Sequence, residues 1–262
     1  MHLLCCVHNC TYTRIRPDDE VLDTRQHFVI GDVHGDIEKL TNLLKRVGIE
    51  NRGNYWINRK NLHVVFLGDL NDPRMNTEEE SLEMSSFRCI QTAKELCDSG
   101  VATAIRSNHQ RNLIRLWSGQ RKDLGYGLAH TNTEMNWLVS TRGRDYVGGL
   151  INWLDSLPFF YSFREKGQLF TAVHAYYTAG MGQYCPKEKE GDAAIYGLKR
   201  DGERFEWWNE TAIRDRTVIA GHYHQVIFPA CNQVVLLDGE CGNTGGRLLG
   251  WLVTENRLLE QI

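Results

Sequence analysis

Two rhythms of apolar and polar positions run along this chain. Residues 27–31, HFVIG, form a short apolar run that closes on glycine. In the DIEKLTNLLKRVGI that follows, Ile37, Leu40, Leu43, Leu44 and Val47 recur at helical spacing, so strand, tight turn and helix are predicted in that order. The same grammar returns at HVVFLGD (63–69) before a helix-like stretch near 78–98, and at VATAIRS (101–107) before QRNLIRLW. Strands alternating with helices predict an α/β fold. From 119 to 157 the pattern becomes Gly-punctuated helical pieces, among them EMNWLVSTRGRDYVGGLINWLDSL, which read as a helical cap inserted into that core. Strand-like runs resume at LFTAVHA (169–175), TVIAGH (217–222), QVVLLDG (233–239) and RLLGWLVTE (247–255), with few helices between them. The C-terminal part is therefore predicted to be mostly sheet, antiparallel or mixed.

Residues 1–26, charge-mixed around RIRPDDE, read as a loosely tied N-terminal extension, leaving 27–262 as one domain with enough apolar residues, 42% of the chain, for a sizeable core. A formal charge of −3 offers no electrostatic footprint for long nucleic acid or an anionic membrane. Nowhere do eighteen apolar residues run together, and the apolar part of the opening is too short for a signal-peptide core. Cys89, Cys97, Cys185, Cys231 and Cys241 are scattered with no CxxC pair, which reads as reduced thiols and a cytoplasmic location. In the opening MHLLCCVHNC the thiols are bunched rather than set at the paired spacing of a tetrahedral zinc site.

The polar residues at the ends of the apolar strands are Asp32, His34, Asp69, Asp72, Asn108, His109, His174, His222 and His224. Ligands of open α/β sheets bind beyond the carboxyl ends of the strands, so these residues are expected to converge there. Carboxylate, imidazole and amide oxygen together are the donors of a di-metal site for Mn, Fe, Zn or Ni, and no cysteine is required. Taken singly each motif has a plainer reading: Asp32 as a helix cap, GHYH as two hydrogen-bonded histidines at a strand end.

Taken in order, GDVHG (31–35), GDLNDPR (68–74), SNHQ (107–110), VHA (173–175) and GHYH (221–224) resemble the motifs of the calcineurin-like metallophosphoesterases, within them the phosphoprotein-phosphatase branch. The resemblance spans roughly residues 27–254, because LDGECGNTGGRLLGWLV is similar to that family's closing strands. It implies a four-layer sandwich of two mixed sheets flanked by helices. It also implies two divalent metal ions, Mn first with Fe, Zn or Ni as alternatives, and phosphoester hydrolysis by a metal-bridging hydroxide. On this resemblance Asp32 and His34 hold the first metal, Asp69 bridges, and Asn108, His174 and His222 complete the second, with His224 an additional ligand in the wider superfamily. His109 matches the general acid, Asp72 the carboxylate that orients it, and Arg106 and Arg74 the groups that grip phosphate.

The chain departs from the pattern at Pro73, which stands where the family's phosphate-binding Arg does, with Arg74 one residue late. Ser107 and Gln110 replace a Gly and an acidic residue, and Ala175 and Tyr176 follow His174 in place of a Gly. Ser107 is compatible with the motif if its φ is negative. These departures keep a second function class open, a catalytically silent metal- or phosphate-binding module. For an enzyme, the substrate classes are phosphoprotein, dinucleoside polyphosphate and RNA terminal phosphate. YGLAHTNTEMNWL (126–138) and VIAGHYH are closer to bacterial members of the branch than to eukaryotic ones. Trp137, Trp153, Trp207 and Trp208 are candidates either for core packing or for a base-stacking platform.

Overall fold

The computed structural model describes residues 25–53, 55–73, 85–123, 125–178, 180–184, 187–209 and 213–261. Most of the expected N-terminal extension, together with Arg74 and Cys185, lies outside the described residues. Strand β1 (Gln26–Ile30) leads into α1 (Ile37–Arg46), whose buried Ile37, Leu40, Leu43 and Leu44 are the predicted stripe, with the Asp36 side chain capping its first turn. A small hairpin, β2 (Ile49–Asn51) and β3 (Trp56–Asn58), precedes β4 (Leu62–Phe66). Next come α2 (Ser85–Asp98), β5 (Ala102–Ala104) and α3 (Asn108–Trp117). The helical stretch expected over 119–157 is a pair of helices, α4 (Tyr126–Arg142) and α5 (Arg144–Ser156).

Beyond them the chain turns to sheet, as expected: β6 (Phe160–Glu165), β7 (Gln168–Val173), the short β8 (Lys199–Arg200) and β9 (Glu203–Arg204), β10 (Thr217–Ala220), β11 (Val226–Cys231), β12 (Val234–Leu237), β13 (Leu248–Leu252) and β14 (Arg257–Gln261). Among the described residues, one helix, α6 (Glu188–Tyr196), and a single 3₁₀ turn at Trp207–Asn209 interrupt this half.

The strands form two mixed five-stranded sheets, in the orders β14-β13-β1-β4-β5 and β11-β12-β10-β7-β6. In the first, β1, β4 and β5 run parallel, β13 pairs antiparallel with β1 and β14 antiparallel with β13; in the second, β7, β10 and β12 run parallel and both edge strands are antiparallel. Period-2 alternation sorts the strand residues between three cores. Phe28, Ile30, Val64 and Phe66 face α1 to α5, whose Leu40, Ile90, Leu113, Met135 and Leu150 complete that layer. Val29, Val65, Ile219, Val235 and Trp251 fill the space between the sheets. Val173, Val218, Ala220 and Leu236 pack outward against Ala194 and Ile195 of α6 and against Trp207 and Trp208. Helices, sheet, sheet and helix are thus stacked in four layers, the expected α/β sandwich.

Trp207 and Trp208 are fully buried, so these two rings serve packing rather than base stacking; Trp153 is half-buried against the helical core, and Trp137 is exposed. No helix among the described residues is long and apolar enough to cross a membrane.

Candidate functional site

The parallel strands of both sheets deliver their carboxyl-end residues to one place. Asp32 and His34 follow β1, Asp69 and Asp72 follow β4, and Asn108 and His109 open α3 after β5. His174 follows β7, and His222 and His224 follow β10. The turns that hold them are tight. His34, Asp69, Asp72, His222 and His224 all have φ between 45° and 69°, a left-handed conformation that non-glycine residues adopt at a cost. Five such residues are gathered at these strand ends.

Asp69 sits at the centre and is buried. Its Oδ2 lies 3.5 Å from His34 Nε2 and 3.8 Å from His109 Nε2, while its Oδ1 lies 3.6 Å from His174 Nε2. One carboxylate therefore faces two groups of donors with separate oxygens. His34, Asp69 and His109 form the first group and Asp32, Asp69 and His174 the second, with the donor atoms of each within 4.8 Å of one another. Asp32 lies on the His174 side, its Oδ1 3.8 Å from His174 Nδ1 and its Oδ2 accepting the His222 N–H at 2.8 Å. A Cβ at position 221 would stand 2.0 Å from Asp32 Oδ1, which is why Gly221 precedes His222.

The tautomers follow from the partners. His174 Nδ1 donates to the Leu67 carbonyl at 2.9 Å, leaving Nε2 bare beside Asn108 Oδ1 at 2.7 Å. His34 Nδ1 donates to the Asp72 carbonyl at 3.2 Å, turning its bare Nε2 to Asp69. An imidazole fixed in this way by a carbonyl behind it is the usual form of a metal-ligating histidine. Burial lowers the pKa of His174, and burial with His174 beside it pushes His222 down to about 2. Both rings are thus neutral, the form that ligates. Burial alone would raise Asp69, but the imidazoles of His109, His174, His34 and His222 outweigh it and hold the carboxyl below the ordinary carboxylate range. Buried carboxylates and neutral imidazoles around one shared carboxylate suit a divalent metal.

The depressed histidines carry a pH signature. In the unfolded chain both take up protons near pH 6.5 but in the folded chain only at lower pH, His222 near 2, so they cost the fold nothing above 6.5 and destabilise it progressively as the pH falls below. Chelator-stripped protein is expected to lose stability on acidification below 6.5, roughly 1.4 kcal/mol per pH unit from His222. Urea midpoints between pH 7.5 and 5 measure this, and a flat profile would contradict it.

His109 Nδ1 donates to Asp72 Oδ2 at 2.7 Å, which leaves Nε2 facing the cavity. Ser107 has φ −129°, and its Oγ accepts from Asp69 N at 2.9 Å and from Gln110 N in capping α3. The substitution for Gly fits because Gly68, at φ 118°, makes room: a Cβ there would lie 2.5 Å from that of Ser107. Gln110 is buried and neither end of its amide has a hydrogen-bond partner among the described residues.

An open cavity of about 300 Å³ lies over the site, lined by Asp69, Asn108, His109, Arg204, His222, His224 and Asn243. His224 reaches this lining with its backbone N–H tied to Asp238 Oδ2 at 2.8 Å, and it stands outside the two donor groups. Arg106 is not in the lining. Its guanidinium pairs with Asp155 on α5 at 3.0 Å and lies over the Phe159 ring. Among the described residues, the cation in the cavity lining is Arg204 on the β8–β9 hairpin, 3.4 Å from the His222 carbonyl, in a stretch with no motif to draw attention to it.

No protein-family model matches the chain. It is 26% identical over 198 residues to the asymmetrical bis(5'-nucleosyl)-tetraphosphatase PrpE of Oceanobacillus iheyensis, covering 75% of this chain and 72% of that protein. Its counterparts in Halalkalibacterium halodurans and Bacillus subtilis are 25% and 24% identical, over 56% and 64% of this chain. The matched stretches span 56% and 64% of those two relatives' own lengths. Among solved structures, a hypothetical protein PH1004 from Pyrococcus horikoshii aligns over 89% of this chain and 86% of its own, at 12% identity and a TM-score of 0.43. With five ordered motifs converging at the strand ends of a two-sheet sandwich, and with these curated relatives at 24–26% identity, the chain is similar to the calcineurin-like metallophosphoesterases, on the side of their phosphoprotein-phosphatase branch.

Proposed function

We propose that this chain is a di-metal-dependent phosphohydrolase that cleaves a dinucleoside polyphosphate. The observation that carries the reading is Asp69, whose two oxygens face separate donor groups as a bridging carboxylate must. The metals, Mn first among the candidates, would be held by Asp32, His34, Asp69, Asn108, His174 and His222, with His224 at the rim. Bound there, they would polarise the phosphoryl oxygens and supply an activated water. His109 Nε2 delivers the proton to the leaving oxygen, and Asp72 holds the ring by its Nδ1–H. Arg204 takes the phosphate oxygens that the resemblance assigned to Arg106 and Arg74. Among the three substrate classes, the tetraphosphatase relatives favour the dinucleoside polyphosphate.

A Mn-supplemented panel of diadenosine tetraphosphate, a phosphopeptide and RNA with a terminal phosphate tests this. The expected result is fastest turnover of the tetraphosphate. Preference for either of the others overturns the substrate, and metal binding with no turnover of any of them establishes the silent module instead. Arg204→Gln is expected to lower kcat/KM about tenfold to a hundredfold, the worth of a charge-assisted hydrogen bond, while Mn affinity stays unchanged. Unaltered kcat/KM on all three substrates would take Arg204 out of the site.

A further inference from the structure

The hydrogen bond from His109 to Asp72 is half of a longer chain. Asp72 Oδ2 is committed to His109, and its other oxygen, Oδ1, accepts from Thr131 Oγ1 at 2.6 Å and from Asn71 Nδ2 at 2.8 Å. Thr131 is fully buried in α4, 59 residues further along the chain. Its hydroxyl also accepts the Asp72 backbone N–H at 3.1 Å, so one side chain grips both ends of the residue. A hydroxyl has a single hydrogen, and the 2.6 Å contact to a carboxylate claims it ahead of the Gly127 carbonyl at 3.2 Å. Ser86, 3.1 Å from Thr131 Oγ1, must therefore be the donor in that pair.

The surroundings leave this grip little play. Asp72 has a φ of 65°, a conformation that persists only when neighbours enforce it. A Cβ on Gly127 would lie 2.9 Å from that of Asp72, so the first turn of α4 presses directly on the residue. One turn beyond Thr131, Glu134 accepts the N–H of Phe87 at 3.1 Å and of Ser86 at 3.3 Å. This fixes α4 against the start of α2.

We infer that Thr131 is a positioning residue that sets the Asp72 carboxylate, and through it the His109 ring, in the orientation that proton delivery requires. The inference rests on the proposed role of His109 and adds a residue to it. Thr131 touches no reacting atom. It acts by holding Asp72 Oδ1 and the Asp72 N–H while Oδ2 holds the His109 ring.

The test compares Thr131→Val, which keeps the shape and removes the hydroxyl, with Thr131→Ser, which keeps the hydroxyl. With an alkyl phosphate, whose leaving group needs a proton, Thr131→Val is expected to lose about tenfold in kcat at unchanged KM, part of the hundredfold or more that a general acid supplies. With dinitrophenyl phosphate, which needs none, it should match wild type, and Thr131→Ser should match it on both. Equal loss on both esters, or no loss on either, overturns the inference. A second readout does not depend on turnover: the downfield His109 Nδ1–H proton resonance should shift in Thr131→Val and hold in Thr131→Ser. An unmoved resonance in a folded Thr131→Val also overturns it. Wild-type protein inactive on every phosphate would refute the proposed function while leaving this resonance to decide the position of Thr131.

Discussion

Asp69→Asn is expected to lower turnover about a thousandfold or more with the fold intact. Asparagine has almost the same shape and, like aspartate, tolerates the left-handed backbone that Asp69 adopts at φ 45°. Its amide keeps one oxygen but loses the charge and the second acceptor, and it is the second acceptor that lets one side chain face both donor groups. Metal catalysis contributes several kcal/mol, and losing about 4 kcal/mol corresponds to roughly a thousandfold. Three measurements separate the outcomes: kcat, bound Mn per chain, and thermal unfolding. The expected pattern is a collapse in kcat, fewer ions bound, and a melting transition that remains cooperative. Full metal occupancy with wild-type kcat would remove Asp69 from the centre of the site, and with it the basis of the functional reading.

Much of this site is legible in the primary structure because β-strands that end in a ligand have a compact signature. Val, Ile, Leu and Phe fill the strand, glycine follows, and the polar residue stands next, as in HFVIGD, VVFLGD and TVIAGH. Each strand end is a local event, so local reading finds it. The layering is legible for the same reason, since Phe28 and Val29, or Val64 and Val65, are sorted to opposite faces by the pleat alone. The return of β13 to pair with β1 is less visible. Nothing in RLLGWLVTE says that it crosses from the second sheet back to the first, which is a matter of tertiary packing around Trp251 and Leu252.

The residues that escaped sequence reading share a cause. Arg204 lies on a strand of two residues, too short for any periodicity, and its place over the site depends on the β8–β9 hairpin lying beside His222. Thr131 is one of several small polar residues in AHTNTE, and only the approach of α4 to the β4 turn distinguishes it from Thr133, whose hydroxyl merely bonds back to its own helix. Arg106 shows the reverse case. The motif places it beside Ser107, but Asp155 of α5 and the Phe159 ring take its guanidinium. A motif fixes the position of the backbone, and the helices packed over it decide where a long side chain goes.

The same logic sharpens what His109 should do. Its ring is a quarter exposed, opens on the cavity, and is anchored by Asp72 at the nitrogen remote from Asp69. His109→Ala removes the imidazole and leaves the shared carboxylate of both donor groups in place. If His109 protonates the leaving oxygen, turnover of an alkyl phosphate should fall by about a hundredfold to ten-thousandfold, the usual contribution of such a group. Dinitrophenyl phosphate, whose leaving group departs as a stable anion, should fall little. The ratio of the two losses is the informative quantity, because a ring that only shapes the cavity or neighbours a metal would affect both esters alike. Asp72→Asn should show the same split in weaker form, since an amide can still contact Nδ1 but can also select the wrong tautomer. Equal losses on both esters in His109→Ala would assign the ring to the first donor group, with His34 and Asp69, and would leave the leaving group to be protonated by solvent.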